Sequence, residues 1–144
     1  MGAVMGFTKV TPEELAWAER HPEELEEFLL AKEEEEAGPD GYIDKGWREI
    51  QEAFDAAGLA VDLRLGGDFM DEEGVYFSWS QKRVAATAEL LKAAPFEWLR
   101  PYFEAEVTES EAALRYTEGC YGRLVGFFTA AAAAEAAAIM TFSY

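Results

Sequence analysis

Apolar residues recur along this chain at spacings that alternate between those of strands and those of helices. Residues 3–10 are rich in strand-forming side chains and predict a first strand. Residues 138–144 predict a terminal strand, and we expect it to pair with the first because chain ends often lie close together. Residues 59–65 alternate apolar and polar side chains, which predicts a middle strand, and residues 74–79 predict a short extended segment.

Helical spacing combined with capping residues predicts the remaining elements. Thr11 and Glu14 have the spacing of a capping box, and Pro12 suits a first helical position. Asp44 is the expected N-cap of another helix, which Gly58 ends. The predicted helices start at Thr11, restart at His21-Pro22, and then span about 44–57, 80–93, 96–103 and 108–135, the last from a second capping box at Thr108.

These elements predict an α+β fold. A chain of 144 residues is one domain by its length, so residues 1–144 are expected to form a single compact unit. A domain of this size buries roughly 70% of the surface that its unfolded chain exposes, which needs no disulfide or metal. The predicted domain is mostly helical, with a small sheet that pairs the two terminal strands and leaves open whether the middle strand joins it.

The net charge of −17 is unevenly distributed. Residues 1–74 hold 21 acidic and 6 basic residues, a net charge of −15, whereas residues 75–144 have a net charge of −2. Such a field repels phosphate and anionic lipid and attracts basic surfaces. We therefore expect no nucleic-acid or membrane partner, because basic patches supply most of the affinity for nucleic acid. A basic protein is the partner that this charge favours.

The reactive side chains are few. Cys120 is the single cysteine, so no internal disulfide can form, and zinc is excluded because its sites need several Cys or His ligands. His21, the single histidine, would have to serve any Ser-His or Cys-His catalytic arrangement, and an exposed turn residue is the simpler interpretation. No cofactor is predicted. No secretory signal or membrane-length apolar segment is seen, which predicts a cytoplasmic protein.

Two acidic runs are candidate partner-binding surfaces. They comprise Glu33, Glu34, Glu35 and Glu36, and then Asp68, Asp71, Glu72 and Glu73. The second run could also bind Ca²⁺ through oxygen, but it lacks the EF-hand pattern. Runs of charge usually face water, so solvated segments are the simpler interpretation of both.

Aromatic and charged residues could together line a ligand pocket. The candidates are Asp44, Lys45, Trp47, Arg48, Trp79 and Arg100. Large aromatics also build ordinary cores, and that alternative stays open. Separately, Gly119, Gly122 and Gly126 share one helix face, which predicts that another backbone packs closely there, either within the core or at a subunit interface. A monomer or a weak homodimer is expected.

Several segments, in order, resemble the YfbM-like family of uncharacterised bacterial proteins. They are Met1-Gly2 before a strand, Tyr42-Ile43-Asp44-Lys45-Gly46-Trp47, Gly66-Gly67, Trp79 before a helix, Leu99-Arg100 with Tyr102-Phe103, and an aromatic-then-Ala helix that ends in a strand. The resemblance covers most of the chain. It implies a compact α+β domain and no particular activity.

Three hypotheses for function follow. The first is a non-catalytic acidic module, of antagonist or immunity type, that binds a basic protein. The second is a small hydrolase or ligand-binding enzyme that uses carboxylates, which requires a desolvated carboxylate in a deep pocket. The third is a structural or assembly domain that associates through the glycine-bearing helix face. The scarcity of reactive side chains favours a protein that is not an enzyme.

Overall fold

Helices form most of the chain in the computed structural model, which describes residues 2–35, 38, 40–106 and 110–144. The helices are α1 (Pro12–Arg20), α2 (Leu25–Glu35), α3 (Trp47–Ala57), α4 (Gln81–Lys92), α5 (Phe96–Glu106) and α6 (Glu111–Ala133), with a 3-10 turn (Pro22–Glu24) between α1 and α2. The predicted break at His21-Pro22 is confirmed, because Pro22 opens the 3-10 turn rather than continuing α1.

The sheet joins both ends of the chain. Its strands are β1 (Val4–Val10), β2 (Tyr42–Asp44), β3 (Asp68–Phe69), β4 (Tyr76–Trp79) and β5 (Ala137–Ser143), in the spatial order β2-β1-β5-β4-β3. Every adjacent pair is antiparallel. β1 and β5 pair along their full length, from Val4 opposite Ser143 to Val10 opposite Ala137. The predicted α+β fold and the pairing of the terminal strands are therefore confirmed.

Alternation along the strands separates two apolar cores. Met5 and Phe7 of β1 face the larger core, which α3, α4, α5 and α6 cover, whereas Val10 faces a smaller core covered by α1 and α2. The same division holds in β5, where Met140 belongs to the larger core and Ile139 to the smaller. The sheet thus lies between two helical layers, and α1–α2 lies on the opposite side from α6.

Local capping fixes the ends of two helices as the sequence predicts. The Thr11 hydroxyl accepts from the Glu14 N–H at 3.0 Å, and the Glu14 carboxylate accepts from the Thr11 N–H at 2.8 Å, which is a complete capping box. Gly58 ends α3 in the left-handed conformation, with φ of 74°. Ser110 caps α6 by accepting from the Ala113 N–H at 3.1 Å; Thr108, predicted as that cap, lies outside the described residues.

The predicted middle strand over 59–65 is wrong. Two of its backbone groups bond to a side chain instead: the Gln51 amide donates to the Val61 carbonyl at 2.8 Å and accepts from the Leu63 N–H at 2.8 Å. Val61 and Leu63 are buried. The alternating pattern therefore reflects side chains buried beside α3 and not the pairing of a strand with its neighbour. The strand of this region is the two-residue β3, which follows the Gly66-Gly67 turn.

The sequence predicts Asp44 as the N-cap of α3, and this prediction is wrong. That helix starts at Trp47, with Gly46 at the cap position and no capping side chain. Asp44 instead ends β2, opposite Met5 of β1, with a positive φ of 58°. Asp is one of the few residues that tolerate this region of backbone space.

Candidate functional site

A polar cluster surrounds Asp44, and it joins β2 to α6. The Tyr116 hydroxyl donates to Asp44 Oδ2 at 2.8 Å, and the Tyr42 hydroxyl lies 3.3 Å from Asp44 Oδ1. Arg123 Nε donates to the Tyr42 carbonyl at 2.9 Å, and its Nη2 lies 3.5 Å from Cys120 Sγ. Residues 116, 120 and 123 lie one turn apart on a single face of α6, and this spacing is a signal that the sequence reasoning did not use.

Gly46 explains how closely α6 approaches this cluster. A Cβ at this position would lie 2.6 Å from Cys120 Sγ, which is closer than real contacts allow. Only glycine therefore permits the turn between β2 and α3 to lie on the buried sulfur. The cluster is held by packing as well as by hydrogen bonds.

The thiol and the two phenols of the cluster are held in their protonated forms. Burial raises the pKa of Cys120, and the Tyr116 hydroxyl and the Arg123 charge oppose this without reversing it. Burial also raises the pKa of Tyr42 and of Tyr116, and Asp44 adds to both shifts. A thiol and two phenols that keep their protons at neutral pH are poor nucleophiles and poor bases. The arrangement suits structure better than catalysis.

The predicted ligand-binding residues near Asp44 lie at the same end of the sheet. Lys45 and Arg48 are exposed. Trp47 donates from Nε1 to the Ala3 carbonyl at 3.0 Å, and its half-buried ring meets Phe142 edge-on at 5.1 Å. Trp47 therefore anchors α3 to the residue before β1 and to β5.

The other two predicted ligand-binding residues have different surroundings. Trp79 is 1% exposed and packs edge-on against Phe7, at 5.4 Å between ring centres. Arg100 pairs with Glu97 at 3.0 Å on its own helix and lies over the Phe96 ring at 5.0 Å. These contacts place Trp79 inside the larger core and Arg100 on α5, rather than beside Asp44.

The layer formed by α1, the 3-10 turn and α2 carries nearly half of the net negative charge of −17. Residues 12–35 contain ten carboxylates and two basic residues. Lys32 pairs with Glu14 at 3.1 Å and lies 3.7 Å from Glu35. The exposed carboxylates are those of Glu13, Glu19, Glu23, Glu24, Glu26, Glu27, Glu33, Glu34 and Glu35, and Glu36 lies outside the described residues.

The second predicted acidic run is an ordered loop that lies against this layer. Asp71 accepts from the Val75 N–H at 3.0 Å and from the Tyr76 N–H at 2.9 Å. Burial raises the pKa of Tyr76, and the charges of Glu26 and Asp71 raise it further, so both carboxylates lie near one phenol. We call the exposed carboxylates of residues 12–35, together with Asp71, Glu72 and Glu73, the acidic face.

Asp68, the remaining member of that run, lies in β3. Its carboxylate is 3.6 Å from the guanidinium of Arg83 on α4. Glu72 and Glu73 are exposed at the tip of the loop that follows. The structure thus separates Asp68, which has a cationic partner, from the loop carboxylates that face solvent.

An aromatic patch lies within the acidic face. Trp17 stacks on His21, with 4.3 Å between ring centres and 17° between ring planes, and its ring centre lies 5.5 Å from that of Phe28. His21 Nδ1 lies 2.7 Å from the Trp17 carbonyl, so the histidine predicted as an exposed turn residue is half-buried. Trp17, His21 and Phe28 all remain partly exposed above the smaller core. Their spacing of four and then seven residues was an unused sequence signal.

Carboxylate chemistry finds little support in the pKa shifts. Burial acts to raise the pKa of Glu14, but the Thr11 N–H and Lys32 outweigh it and lower the pKa. Arg100 lowers the pKa of Glu97. A general acid needs the opposite shift. Within the described residues, no three His, Cys, Asp or Glu side chains are grouped so that they could hold a metal ion.

The part of the sheet that α1 and α2 leave uncovered forms a cavity of about 430 Å³. The hydroxyl residues Thr8, Thr141 and Ser143 line it together with Glu33 and Asp40. Its described lining contains no lysine or arginine, so the cavity continues the negative character of the neighbouring acidic face.

Comparisons with known proteins give a family and no activity. No helix in the described part of the chain is both long and apolar enough to cross a membrane. Searches among curated proteins and among solved structures gave no match. A family model described as a domain of unknown function (DUF1877) matches residues 1–141. Because that match covers almost the whole chain, the protein belongs to the DUF1877 family.

Proposed function

We propose that this protein is a non-catalytic binding module, of antagonist or immunity type, whose acidic face docks on a basic surface of a partner protein. The observation that carries this proposal is the partly exposed Trp17–His21–Phe28 stack surrounded by carboxylates. The family match is compatible with it but assigns no role. The finer resemblance to the YfbM-like family and a cytoplasmic location stay predictions.

The charge supports fast and selective encounter with a basic partner. Residues 12–35 contain two basic side chains, those of Arg20 and Lys32. Lys32 is already paired with Glu14. Uncompensated charge of one sign steers an oppositely charged protein and rejects acidic ones. The electrostatic contribution to binding must weaken with added salt, because salt screens the interaction between separated charges.

The aromatic patch supports affinity. Trp and Tyr are enriched among the residues that dominate binding energy, and a cation over a tryptophan ring adds about 0.5–2 kcal/mol. Trp17 and Phe28 are held by the smaller core, so little entropy is lost when a partner covers them. At the aromatic patch, an arginine or lysine of the partner would contact both an aromatic ring and a carboxylate.

The test begins with a partner captured from the host lysate by the wild-type chain. The acidic-face variant E23K/E27K is compared with the control E104K/E111K, which makes the same change in net charge outside the acidic face. The proposal predicts that the captured partner is basic, that the first variant loses it and that the control retains it. Equal retention or equal loss by the two variants would contradict the proposal.

A second pair of variants tests the patch without changing the charge. Trp17→Ala is expected to raise the Kd for that partner about 10- to 100-fold, as a central aromatic contact should. Trp98→Ala is the matched control, because Trp98 is 48% exposed on α5. Circular dichroism melts confirm that both variants are folded. An unchanged Kd for Trp17→Ala would overturn the role of the patch.

A further inference from the structure

A groove of about 860 Å³ runs between α4 and α6, on the side of the sheet opposite the acidic face. Its apolar lining includes Leu91 of α4, Phe96 of α5 and Val125 of α6. Gly122 and Gly126 also line the groove and have no side chain that would fill it. An apolar groove of this size on a protein surface marks an interaction site more often than chance exposure does.

Gly119 and Gly122 of α6 are not required by any close contact within the described part of the chain. A Cβ added at Gly119 or at Gly122 would meet no atom within 4 Å, so the close backbone approach predicted from the sequence does not occur there. Each glycine costs a helix about 1 kcal/mol relative to alanine. The surface of α6 at Gly122 is therefore open, and no other described part of the chain packs against it there.

The rim of the groove carries charges of both signs. Glu89 and Lys92 lie on α4, and Glu118 lies on α6. A two-fold interface brings the same patch of two copies together, so each patch must complement itself. A mixed rim satisfies this requirement, whereas a purely basic or purely acidic partner would meet a like charge at some point. The half of the chain that holds the groove has a net charge of only −2.

We propose that the occupant of this groove is α6 of a second copy of this chain, packed across a two-fold axis near Gly122. The helix has 23 residues, and its part from Glu118 to Ala133 lines the groove. The two acidic faces then point away from each other, since each lies across its own sheet. The dimer presents two acidic faces. Its formation does not depend on the proposed function of those faces.

The test is sedimentation of the full chain over a range of concentrations, at low and at high salt. We expect a monomer–dimer equilibrium that strengthens with salt, because salt screens repulsion between two chains of charge −17. Gly122→Leu fills the groove and should weaken the dimer about tenfold or more, which is about 1.4 kcal/mol or above. Ala112→Leu is the control, since it enlarges an exposed side chain on the same helix, ten residues from Gly122 and outside the groove lining.

The charged rim gives a second pair of variants. Lys92→Glu makes the three rim residues uniformly acidic and should weaken the dimer, whereas Lys82→Glu makes the same charge change on α4 away from the groove lining. A monomer at every concentration and salt would overturn the proposal, as would equal effects of Ala112→Leu and Gly122→Leu. The salt dependence separates this interface from the acidic face, whose binding should weaken as salt rises.

Discussion

Glu26 of α2 and Asp71 of the β3–β4 loop act on the same phenol, that of Tyr76. Burial is the main reason that the pKa of Tyr76 is raised, and these two negative charges add to it. The acidic helical layer and the acidic loop are therefore neighbours in space, although α3 and β2 separate them in sequence. The acidic face therefore extends from the helical layer to this loop, and Trp17 and Phe28 belong to helices of that layer.

Asp71 should stabilise the fold, unlike its acidic neighbours. Its carboxylate accepts two backbone N–H groups, from Val75 and Tyr76, and hydrogen bonds to a charged group contribute about 1.5–3 kcal/mol. We expect Asp71→Ala to lower the free energy of unfolding by about that amount in urea titrations. Glu72→Ala, at an exposed position, should change it by less than about 0.5 kcal/mol. Equal effects would show that the loop is not held by Asp71.

The capping box at Thr11 gives a prediction for α1. Thr11→Ala removes the acceptor of the Glu14 N–H and should cost about 1 kcal/mol of unfolding free energy. Thr11→Ser keeps the hydroxyl and should retain most of that stability. Thermal unfolding of the three proteins provides the measurement, and similar midpoints for the alanine and serine variants would argue against the cap.

Glu14 makes part of the stability depend on pH. Its pKa in the folded protein lies below the ordinary value of 4.5, so folding favours the charged carboxylate. The stabilisation is complete above pH 4.5 and is lost as the pH falls through the lowered pKa. We expect the difference in unfolding free energy between wild type and Glu14→Gln to be constant at neutral pH and to disappear in acid. A difference that grows as the pH falls would contradict this sign.

Features that depend on neighbours in sequence could be predicted. The Thr11–Glu14 box, the left-handed Gly58 and the restart at Pro22 each follow from a few adjacent residues. The terminal strands were also predictable, since β-forming residues mark both ends of the chain. Capping residues and strand-forming residues act on the backbone next to them, so their effects can be predicted from adjacent residues.

Features that depend on distant residues could not be predicted. The 59–65 segment alternates like a strand, yet two of its backbone groups bond to the Gln51 side chain of α3. Asp44 has the position of an N-cap, but its partner is Tyr116, far along the chain. The approach of Asp71 to Glu26 likewise follows from the tertiary fold. A local pattern shows which residues are buried and leaves open what they are buried against.

The role of Gln51 leads to a direct test of the irregular segment. Gln51→Leu leaves the Val61 carbonyl and the Leu63 N–H without their partner, and each lost bond to a partly buried group costs about 1–3 kcal/mol. We expect faster amide hydrogen exchange at residue 63 and a lower unfolding free energy. Gln81→Leu, at an exposed position of α4, is the control and should leave both unchanged. Unaltered exchange at residue 63 in Gln51→Leu would refute this account.

The backbone at Asp44 should discriminate between substitutions. Asn tolerates positive φ and can still accept from the Tyr116 hydroxyl, so Asp44→Asn should cost less than about 1 kcal/mol. Asp44→Val places a β-branched residue at φ of 58° and loses the hydrogen bond, and strain of this kind costs about 1–3 kcal/mol. Chemical denaturation measures both. The reverse order of stability would rule out the left-handed conformation.

The most direct test of the acidic face is an NMR titration of the labelled chain with a synthetic arginine- and lysine-rich peptide. The account predicts amide shifts concentrated in residues 12–35 and 70–76, a side-chain shift at the Trp17 indole, and reversal on adding salt. An acidic peptide of the same length should produce no shifts. Shifts spread evenly over the surface, or centred on α4 and α6, would contradict the claim that this face binds basic partners.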